Sequence, residues 1–431
     1  MHVLIVGNGG REHALAWALA RSPLVDNLTI APGNAGTDSL GENVAIAADD
    51  IPALLRLAQE RHVDLTVVGP EAPLAAGIVD TFHEAGLKIF GPTRAAAQLE
   101  SSKAFAKAFM KQHGIPTAEY SAFEDYTTAL RYLADARPPI VLKADGLAAG
   151  KGVIIAEYRV EAQTALRRMM IEGEFGHASD RVVIEEYLSG REVSLLAFCD
   201  GQTVVAMPPA RDHKRAFDGD EGPNTGGMGV YTPPPDVGQA LADEIVRRVL
   251  KPTIFGMAAK GTPYVGVLYA GLMLTPYGFK TLEFNCRFGD PEAQALIPML
   301  ETDLAEIMLA CVEGRLHEID VHWRQGASAA VVLAADGYPG SYRKGVPIEG
   351  LDSGSGTEDS VSVFHAGTER KNGQILTSGG RVLAVSARGD DLPSALRRAY
   401  ARVQNIHFDG MHYRRDIGQT ADDEDAFDAE G

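Results

Sequence analysis

One segment determines how this chain is interpreted: Thr281-Leu282-Glu283-Phe284-Asn285-Cys286-Arg287-Phe288-Gly289-Asp290-Pro291-Glu292. Glu283, Asn285 and Arg287 alternate with apolar residues, and an alternation of period two is typical of a β-strand with its polar side chains on one face. Carboxylate and amide oxygens suit a Mg²⁺ ion that bridges nucleotide phosphates, and a fixed cation beside them suits an anionic reaction centre. The segment therefore predicts an ATP site.

The alternative interpretation of this segment is an edge strand with one solvated face. In both cases Gly289-Asp290-Pro291 predicts a sharp turn into a helix from about Glu292 to Leu300. Other segments of the chain have to distinguish the two interpretations.

The composition is that of a globular chain with several domains. Its 431 residues predict about two to four domains, and 45% of them are hydrophobic. The longest apolar runs, such as residues 329–335, are shorter than the roughly 18 residues that a membrane helix requires. A formal net charge of -18 argues against a nucleic-acid surface. Anionic substrates would need local positive charge from a few Lys, Arg and helix N-termini.

The chain ends and the cysteines carry weaker signals. Residues 1–7 predict a buried strand that runs into a glycine turn, without the features of a signal peptide, and we expect a cytoplasmic protein. Cys199, Cys286 and Cys311 have no metal-like or redox-like spacing and are expected to be reduced core thiols. Residues 419–431 are acidic and predict a disordered, solvated tail.

Residues 1–100 predict a parallel, Rossmann-like α/β sheet. Short apolar strands at Val3 to Val6, Leu28 to Ala31, Leu65 to Val68 and Lys88 to Phe90 alternate with helices. The ligand crevice of such a sheet lies at the carboxyl ends of its strands. The turns at those ends are Gly7 to His13, Pro32 to Gly36, Gly69 to Pro73 and Gly91 to Thr93. We expect a pocket for a small molecule there.

The first glycine turn does not fit a dinucleotide. In the pattern G-x-G-x-x-G the third glycine falls at Glu12, whose side chain would hinder helix packing and whose charge would face a pyrophosphate. Gly9, Gly10 and the following helix N-terminus remain suitable for one phosphate or a polar substrate. A purely structural turn is the alternative.

A helix is predicted from about Ser101 to His113, with Ser101 or Ser102 as its N-cap. Lys103 falls in the first turn, where the helix dipole disfavours a cation. Lys103 therefore indicates an anion nearby, and a solvated lysine is the alternative.

Residues 139–157 predict two strands joined by the glycine loop of residues 144–152, with Lys143 before it. The loop differs from a Walker A loop, because only three residues separate Gly146 from Gly150 and a β-branched strand follows. We predict a lid whose backbone amides and lysines cover a triphosphate. A plain flexible hairpin is the alternative.

Two later segments predict contacts to substrates. A strand from Arg181 to Leu188 offers peptide groups to an adenine edge, and Glu192 is available to ribose hydroxyls. Residues 207–235 are rich in Pro, Gly and charge, and so long a loop in a compact domain is usually functional or disordered. We interpret it as a substrate loop in which His213 is either a general base or a structural histidine.

Residues after 326 predict a small α+β domain without a dense set of catalytic residue types. Strand patterns run from Ala329 to Ala335, Val361 to Ala366 and Val382 to Ala387, and a helix pattern runs from about Leu392 to Val403.

Together these segments resemble the phosphoribosylamine-glycine ligases, also called glycinamide ribonucleotide synthetases, a family of ATP-grasp enzymes. The resemblance runs from Met1 to about Gly418 and is carried by Gly7 to Ala14, Lys143 to Gly152, Gly222 to Gly229 and Glu283 to Glu292. It implies an N-terminal domain of residues 1–100 that helps to bind the ribosyl phosphate, an ATP-grasp domain of residues 101–326 with a lid at about 123–186, and a closing domain of residues 327–418. It also implies that ATP phosphorylates the carboxylate of glycine and that the amine of 5-phosphoribosylamine then attacks the acyl phosphate.

The resemblance assigns roles to residues of this sequence. Nucleotide phosphates would be contacted by Lys103, Lys143 and the lid residues Gly150, Lys151 and Gly152, adenine by Glu185, Glu186 and Leu188, and ribose by Glu192. Glu283 and Asn285 would bind Mg²⁺ or Mn²⁺, and Arg287 would stabilise the charge that develops on the acyl phosphate. The remaining residues would hold glycine and phosphoribosylamine: Asp212 and Lys214, which count with Arg287 as catalytic, Asn224, Thr225, Gly226 and Gly227, and from the N-terminal domain Gly10, Arg11 and Glu71.

One departure and two alternatives remain. The apolar strand from Gly266 to Leu272 offers no carboxylate to share a metal with Glu283, so either phosphates and water complete the coordination or another acid reaches in.

The first alternative function is that of another ATP-grasp ligase or carboxylase that acts on a related ribonucleotide. The second is a regulatory nucleotide-binding protein without turnover, which would be expected to lack Glu283, Asn285 or Arg287. We expect a monomer that acts on small molecules.

Overall fold

The computed structural model describes residues 1–148, 152–351 and 360–419. The predicted lid residues Gly150 and Lys151 and the acidic tail after Gln419 lie outside the described residues. No helix in these ranges is long and apolar enough to cross a membrane.

Residues 1–100 form the parallel sheet that their alternating strands and helices predict. The elements are β1 (His2–Gly7), α1 (Gly10–Leu19), β2 (Asn27–Pro32), β3 (Glu42–Asn43), α2 (Ile51–Glu60), β4 (Leu65–Val68), α3 (Glu71–Ala76), α4 (Ile78–Glu84) and β5 (Ile89–Phe90), with the strand order β3-β2-β1-β4-β5. Alternate residues of β1 enter two different cores, because successive side chains of a strand point to opposite faces. Val3 and Ile5 pack in the core that contains Leu15 of α1, and Leu4 packs in the core that contains Phe82 of α4.

The predicted helix from Ser101 to His113 is two helices, α5 (Gln98–Ser101) and α6 (Lys103–Gln112). Ser102 lies between them in an extended conformation, with φ -137° and ψ 109°. Its hydroxyl accepts a hydrogen bond from the amide of Phe105 at 3.1 Å, which makes Ser102 the N-cap of α6.

The predicted lid region forms an antiparallel sheet covered by two helices. Its elements are β6 (Tyr120–Phe123), α7 (Tyr126–Asp135), β7 (Ile140–Ala144), β8 (Val153–Ala156), α8 (Arg159–Met170) and β9 (Val182–Glu186), with the strand order β6-β9-β7-β8. Leu133 of α7 and Leu166 of α8 pack against Ile140, Leu142 and Ile184 of the sheet.

The central part carries the strands that position the site. Its elements are β10 (Arg191–Asp200), β11 (Val204–Ala206), β12 (Arg211–Asp212), β13 (Arg215–Phe217), β14 (Glu221–Asn224), β15 (Gly229–Thr232), α9 (Gln239–Ile245), α10 (Lys251–Ala259), β16 (Val265–Thr275), β17 (Gly278–Asn285), α11 (Glu292–Leu296) and α12 (Leu304–Val312). The sheet order is β11-β10-β16-β17. Residues 207–235, predicted as a loop, instead contain four short strands. Sequence periodicity missed them because each is only two to four residues long.

A bulge interrupts β17. Gly271 pairs with Glu283 but the next residue, Leu272, pairs with Thr281, so Leu282 is an extra residue in the strand. Phe284, Cys286 and Phe288 are buried as predicted, whereas Leu282 is only partly buried. The predicted alternation is therefore right from Glu283 onward and wrong at Leu282, and Arg287 follows the end of the strand.

The C-terminal part contains a sheet that extends into the central part. The elements of this part are β18 (Ala327–Ala335), β19 (Val361–His365), β20 (Thr368–Lys371), β21 (Gln374–Thr377), β22 (Arg381–Gly389), α13 (Leu392–Val403) and β23 (Met411–His412), and β20 and β21 pair only with each other among the described strands. The sheet order is β12-β15-β18-β22-β19, and β23 also pairs with β18. The predicted substrate segment thus belongs to the same sheet as the C-terminal strands.

Candidate active site

Glu283 and Asn285 lie on one face at the end of β17. Burial acts to raise the pKa of Glu283, yet this pKa lies below its usual value because of nearby cations: Lys214, Lys143, Lys103 and Arg287. An ionised carboxylate with an amide oxygen two residues away is a suitable donor pair for a divalent cation.

In the ranges that the structure describes, no group of three His, Cys, Asp or Glu side chains could hold a metal ion. A cation at Glu283 and Asn285 would therefore need oxygens from phosphates, from water or from one further acid. Both possibilities that the sequence leaves open remain.

Arg287 is held by carboxylates from outside its own strand. Its Nη2 lies 3.0 Å from Oε1 of Glu100 and 3.3 Å from Oδ1 of Asn285, and its Nε lies 3.3 Å from Oε2 of Glu71. Burial acts to lower the pKa of Arg287, but Glu100 and Glu71 raise it. Glu71 comes from the N-terminal sheet, so the structure brings this predicted substrate residue to the strand end.

Glu100 was missed by sequence reasoning. Its Oε2 accepts a hydrogen bond from the amide of Cys286 at 2.7 Å, and burial raises its pKa although Arg287 opposes this. In the sequence, Glu100 is one acid in a short polar helix, and no local pattern indicates a partner 186 positions away.

The anion that Lys103 predicts is present in the chain itself. The Asp145 carboxylate accepts a hydrogen bond from the Ala104 amide at 2.7 Å, at the N-terminus of α6. The Lys103 side chain donates to the carbonyl of Gly146 at 3.0 Å. Burial lowers the pKa of Lys103. The start of the predicted lid loop therefore lies directly on this helix N-terminus.

Lys143 and the missed residue Lys107 share one carboxylate. The Nζ atoms of Lys107 and Lys143 lie 2.9 Å and 3.0 Å from the same Oε2 of Glu185. Lys143 also lies 3.4 Å from the carbonyl oxygen of Leu282, which the bulge of β17 exposes. Lys107 had a sequence signal, because it interrupts the apolar face of α6.

The other residues predicted to contact adenine and ribose lie between the end of β9 and the start of β10. Glu186 points away from Glu185 and pairs with Lys280 at 2.5 Å. Leu188 is partly buried. Glu192 forms an ion pair with Lys214, which links the predicted ribose residue to a predicted catalytic residue.

Asp212 and Lys214 form a partly buried acid–base cluster. Burial raises the pKa of Asp212 to about 7, with Lys214 opposing the shift and Glu292 and Glu192 adding to it. Burial acts to lower the pKa of Lys214, but Glu192, Asp212 and Glu283 raise it well above its usual value. The cluster therefore holds a protonated lysine beside a carboxyl group that titrates near neutral pH.

His213 has a structural role. Its Nε2 accepts a hydrogen bond from the amide of Gly418 at 3.1 Å, and its ring is buried. This hydrogen bond occupies Nε2 and supports the structural interpretation of His213 over the general base.

The predicted substrate loop from Asn224 to Gly227 is anchored by its own chain and by the C-terminal sheet. Thr225 binds the carbonyl of Lys214 through its amide (2.7 Å) and its hydroxyl (2.8 Å). Gly227 has φ +112°, and a Cβ there would lie 2.5 Å from Pro291. Asn224 is exposed at the end of β14. The loop thus packs directly on the turn that follows Arg287.

Arg381 and Asp290, whose roles the sequence did not indicate, hold this loop in place. Nη1 of Arg381 donates to the carbonyls of Gly226 (2.6 Å) and Asp290 (2.7 Å). Arg381 comes from β22, so the C-terminal part contributes to the site although its sequence shows no catalytic pattern.

Carboxylates of the chain itself contact the glycine turn of the N-terminal sheet, for which a site for a phosphate or polar substrate and a purely structural turn were both predicted. Glu12 folds back and accepts from the Gly9 amide at 2.5 Å, and Asp290 accepts from the Arg11 amide at 3.4 Å. Gly10 packs against Gln294. The Arg11 side chain donates to the carbonyl of Phe288 at 3.1 Å. Arg11 therefore reaches the site, whereas the helix N-terminus is already occupied.

Comparisons with known proteins agree with this arrangement. Three family descriptions match in order: the N domain of phosphoribosylglycinamide synthetase at residues 1–100, its ATP-grasp (A) domain at 101–293 and its C domain at 328–420. The chain is 52% identical over 424 residues to the phosphoribosylamine–glycine ligase of Pasteurella multocida, covering 98% of each chain. It is 53% identical over 425 residues to the Escherichia coli O6:H1 enzyme of the same name, covering 98% of this chain and 99% of the relative.

Solved structures agree in fold. The crystal structure of phosphoribosylamine–glycine ligase from Thermotoga maritima superimposes with a TM-score of 0.84 at 34% identity, covering 96% of this chain and 100% of that one. A biotin carboxylase from Campylobacter jejuni has a TM-score of 0.75 at 15% identity, covering 96% and 92%, which is a likeness of fold alone.

Proposed function

This chain belongs to the phosphoribosylglycinamide synthetase family, and from this premise we propose how its residues carry out the family's reaction. The reaction is the ATP-dependent ligation of glycine to 5-phosphoribosylamine in purine biosynthesis, which gives glycinamide ribonucleotide, ADP and phosphate. Identity over nearly the full length favours this ligase over another ATP-grasp ligase or carboxylase. ATP-grasp enzymes use ATP with a divalent metal ion.

The observation that carries the proposal is the cluster of cations at the end of β17. Lys103, Lys143, Lys214 and Arg287 all act to lower the pKa of Glu283. Three of these cations also pair with other carboxylates, and the phosphates of ATP and an acyl phosphate can compete for them because they bring several negative charges. Preorganised cations of this kind stabilise phosphoryl transfer through electrostatics.

In the first step, a carboxylate oxygen of glycine attacks the γ-phosphorus of ATP, and the bond to the β-phosphate oxygen breaks to release ADP. Lys103 and Lys143 hold the phosphates, with the lid residues Gly150, Lys151 and Gly152 above them. Arg287 stabilises the transferred group. Glu283 and Asn285 hold Mg²⁺ or Mn²⁺, which when bound neutralises phosphate charge and orients the triphosphate.

In the second step, the amine nitrogen of phosphoribosylamine attacks the acyl carbon, and the carbon–oxygen bond to phosphate breaks. The nitrogen loses a proton as the amide forms. Asp212 accepts that proton, because its pKa of about 7 leaves much of it ionised near neutral pH. Lys214 and the loop of Asn224, Thr225, Gly226 and Gly227 hold the two substrates.

The remaining contacts place the nucleotide and the sugar phosphate. Adenine lies against Glu185, Glu186 and Leu188, and ribose against Glu192. The 5-phosphoribosylamine binds between the N-terminal domain, through Gly10, Arg11 and Glu71, and the strand end. Glu71 gives up its contact with Arg287 when the substrate enters, since that contact is long at 3.3 Å. The enzyme acts as a monomer in the cytoplasm.

The test measures ADP release with ATP, Mg²⁺ and glycine, with and without phosphoribosylamine generated in the assay. The proposal predicts release that needs both substrates and a product with an amide-linked ribonucleotide. A parallel reaction replaces glycine by bicarbonate. Turnover with bicarbonate but not with glycine would instead indicate a carboxylase.

A further inference from the structure

Lys107 is a buried charge that the proposed mechanism does not use. Its side chain is 2% exposed, and its Nζ lies 2.9 Å from Oε2 of Glu185. A buried ammonium group is retained only with close partners, because its desolvation is costly. The pairing joins α6 of the central part to β9 of the lid sheet.

The two lysines on Glu185 are held differently. Lys107 also donates to the hydroxyl of Thr117 at 2.8 Å, and that hydroxyl donates to the backbone carbonyl of Thr281 at 2.7 Å. Among the described residues, Lys143 has only the long 3.4 Å contact to Leu282 besides the shared oxygen. A phosphate can therefore draw Lys143 away while Lys107 stays on the carboxylate.

The second oxygen of Glu185 lacks a partner. Oε1 is shielded from solvent and has no hydrogen-bond partner among the described residues. A carboxylate oxygen accepts hydrogen bonds. A ligand whose donor reached Oε1 would supply the hydrogen bond that this oxygen lacks. A ligand with an N–H donor fits it, and a ligand with a carbonyl oxygen does not.

We propose that Lys107 is a positioning residue that determines which base the nucleotide site accepts. It holds Oε2 of Glu185 in place, so that Oε1 remains an acceptor without a partner and selects purines with a 6-amino donor over purines with a 6-oxo acceptor. The inference rests on the proposed placement of adenine at Glu185. The two lysines that contact the same oxygen then have different roles. Lys107 determines base selection, and Lys143 binds the phosphates.

The test compares ATP with ITP, which differs at the 6-position of the base. Lys107→Met removes one of the two ammonium groups on Oε2 and leaves Glu185 free to turn, so that Oε1 is no longer fixed as the acceptor for a 6-amino group. We expect the ratio of kcat/KM for ITP to that for ATP to rise roughly tenfold or more, the effect of one hydrogen bond to a charged group. Lys107→Arg should retain most of the ATP preference. Lys111→Met, on the exposed face of the same helix, should leave the ratio unchanged.

Two results would overturn the inference. One is a wild-type enzyme that uses ITP as well as ATP. The other is a folded Lys107→Met variant that loses activity equally with both nucleotides, as a merely structural lysine would predict. If this variant does not fold, Glu185→Gln replaces it, because an amide offers both a donor and an acceptor; an unchanged ratio would then contradict the proposal.

Failure of the ligase assignment can be distinguished from failure of this inference. A wild-type protein without glycine-dependent ADP release would defeat the ligase assignment. Calorimetric binding of ADP and IDP to the wild-type and Lys107→Met proteins would still report base selection. Preference for ADP in the first protein and its loss in the second is the expected result.

Discussion

The helix N-terminus at Gly9–Gly10 and the strand end at Glu283–Arg287 both look like phosphate sites in the sequence, but only the second gathers several cationic side chains around one carboxylate. At the helix N-terminus, the amides of Gly9 and Arg11 are taken by Glu12 and Asp290. At the strand end, four cations hold the pKa of Glu283 below its usual value although burial acts to raise it. A glycine turn therefore shows only that the backbone can approach a ligand. We expect the nucleotide phosphates at the strand end, where the cationic side chains are gathered, and expect the glycine turn to contact 5-phosphoribosylamine beside the Arg11 side chain.

The comparison also assigns different tasks to the two regions. Asp290 contacts Arg11 of the N-terminal sheet, Gln294 of α11 and Arg381 of the C-terminal sheet. It therefore joins three parts of the molecule. We expect substitutions at Glu283 to affect chemistry most and substitutions at Asp290 to affect stability most.

The largest effect is expected for Glu283→Gln. The change keeps the side-chain volume but removes the charge that holds the metal, and kcat should fall by more than about 100-fold, beyond what substitutions around a metal site without a direct ligand produce. Steady-state ADP release with a Mg²⁺ titration measures this, with circular dichroism as the check on folding. Glu60→Gln, on an exposed helix end, is the matched control. Near-normal turnover in a folded Glu283→Gln protein would remove Glu283 from the metal site.

Asp212→Asn should give the next largest effect and a change in pH dependence. If the ionised form of Asp212 accepts the amine proton, kcat/KM should rise with pH through about 7, the pKa to which burial raises this carboxyl group. The Asn variant should lose that rise and about 100-fold in rate above it, within the range of general-base catalysis. A pH profile of both proteins from 5.5 to about 9, a span set around that pKa, provides the measurement. Persistence of the same rise in the variant would assign it to another group.

Lys143→Ala should have a moderate effect that is specific to the nucleotide. Loss of one phosphate contact should raise the apparent KM for ATP about tenfold, the cost of one charged hydrogen bond, and should change the KM for glycine less. Initial rates at varied ATP and at varied glycine compare the two. Lys111→Ala is the control for a lysine lost elsewhere. A larger change for glycine than for ATP would contradict the assignment of Lys143 to the phosphates.

Asp290→Asn should have the smallest effect on turnover and a clear effect on stability. The carboxylate lies close to Arg381, and its loss should lower the free energy of unfolding by about 2 kcal/mol at neutral pH. Burial acts to raise the pKa of Asp290, but Arg381 and Arg11 hold it below its usual value. The stabilisation is therefore present above the unfolded pKa and is lost as pH falls through the folded pKa.

Urea unfolding at neutral and acidic pH tests this prediction, because the difference between the wild-type and Asn proteins should shrink in acid. A variant as inactive as Glu283→Gln with unchanged stability would show that the two regions do not differ as described.

The elements with strong periodicity could be predicted from the sequence. The N-terminal strands, the helix Leu392–Val403 and the polar face of β17 follow from alternation or helical spacing. The N-cap at Ser102 follows from local hydrogen bonding. The bulge at Leu282 could not be predicted, because it depends on pairing with β16 and leaves no mark in the alternation of Phe284, Cys286 and Phe288.

The site was predicted in part, for a physical reason. Residues that act through their own strand or loop, such as Glu283 and Asn285, carry a local pattern. Glu100 and Arg381 instead contact residues that are distant in the sequence. Glu100 accepts a hydrogen bond from Cys286, and Arg381 donates to Gly226 and Asp290. Only the interrupted apolar face of α6 could have indicated Lys107.

The most direct test of the account follows the oxygen atoms of glycine. The wild-type enzyme is supplied with ATP, phosphoribosylamine and glycine that carries ¹⁸O in both carboxylate oxygens, and the released phosphate is analysed by mass spectrometry. If the cations at the strand end transfer a phosphoryl group to glycine, each phosphate should contain one ¹⁸O atom from the broken acyl bond. Unlabelled phosphate, with the ribonucleotide product still formed, would contradict the acyl phosphate and the role assigned to this strand end.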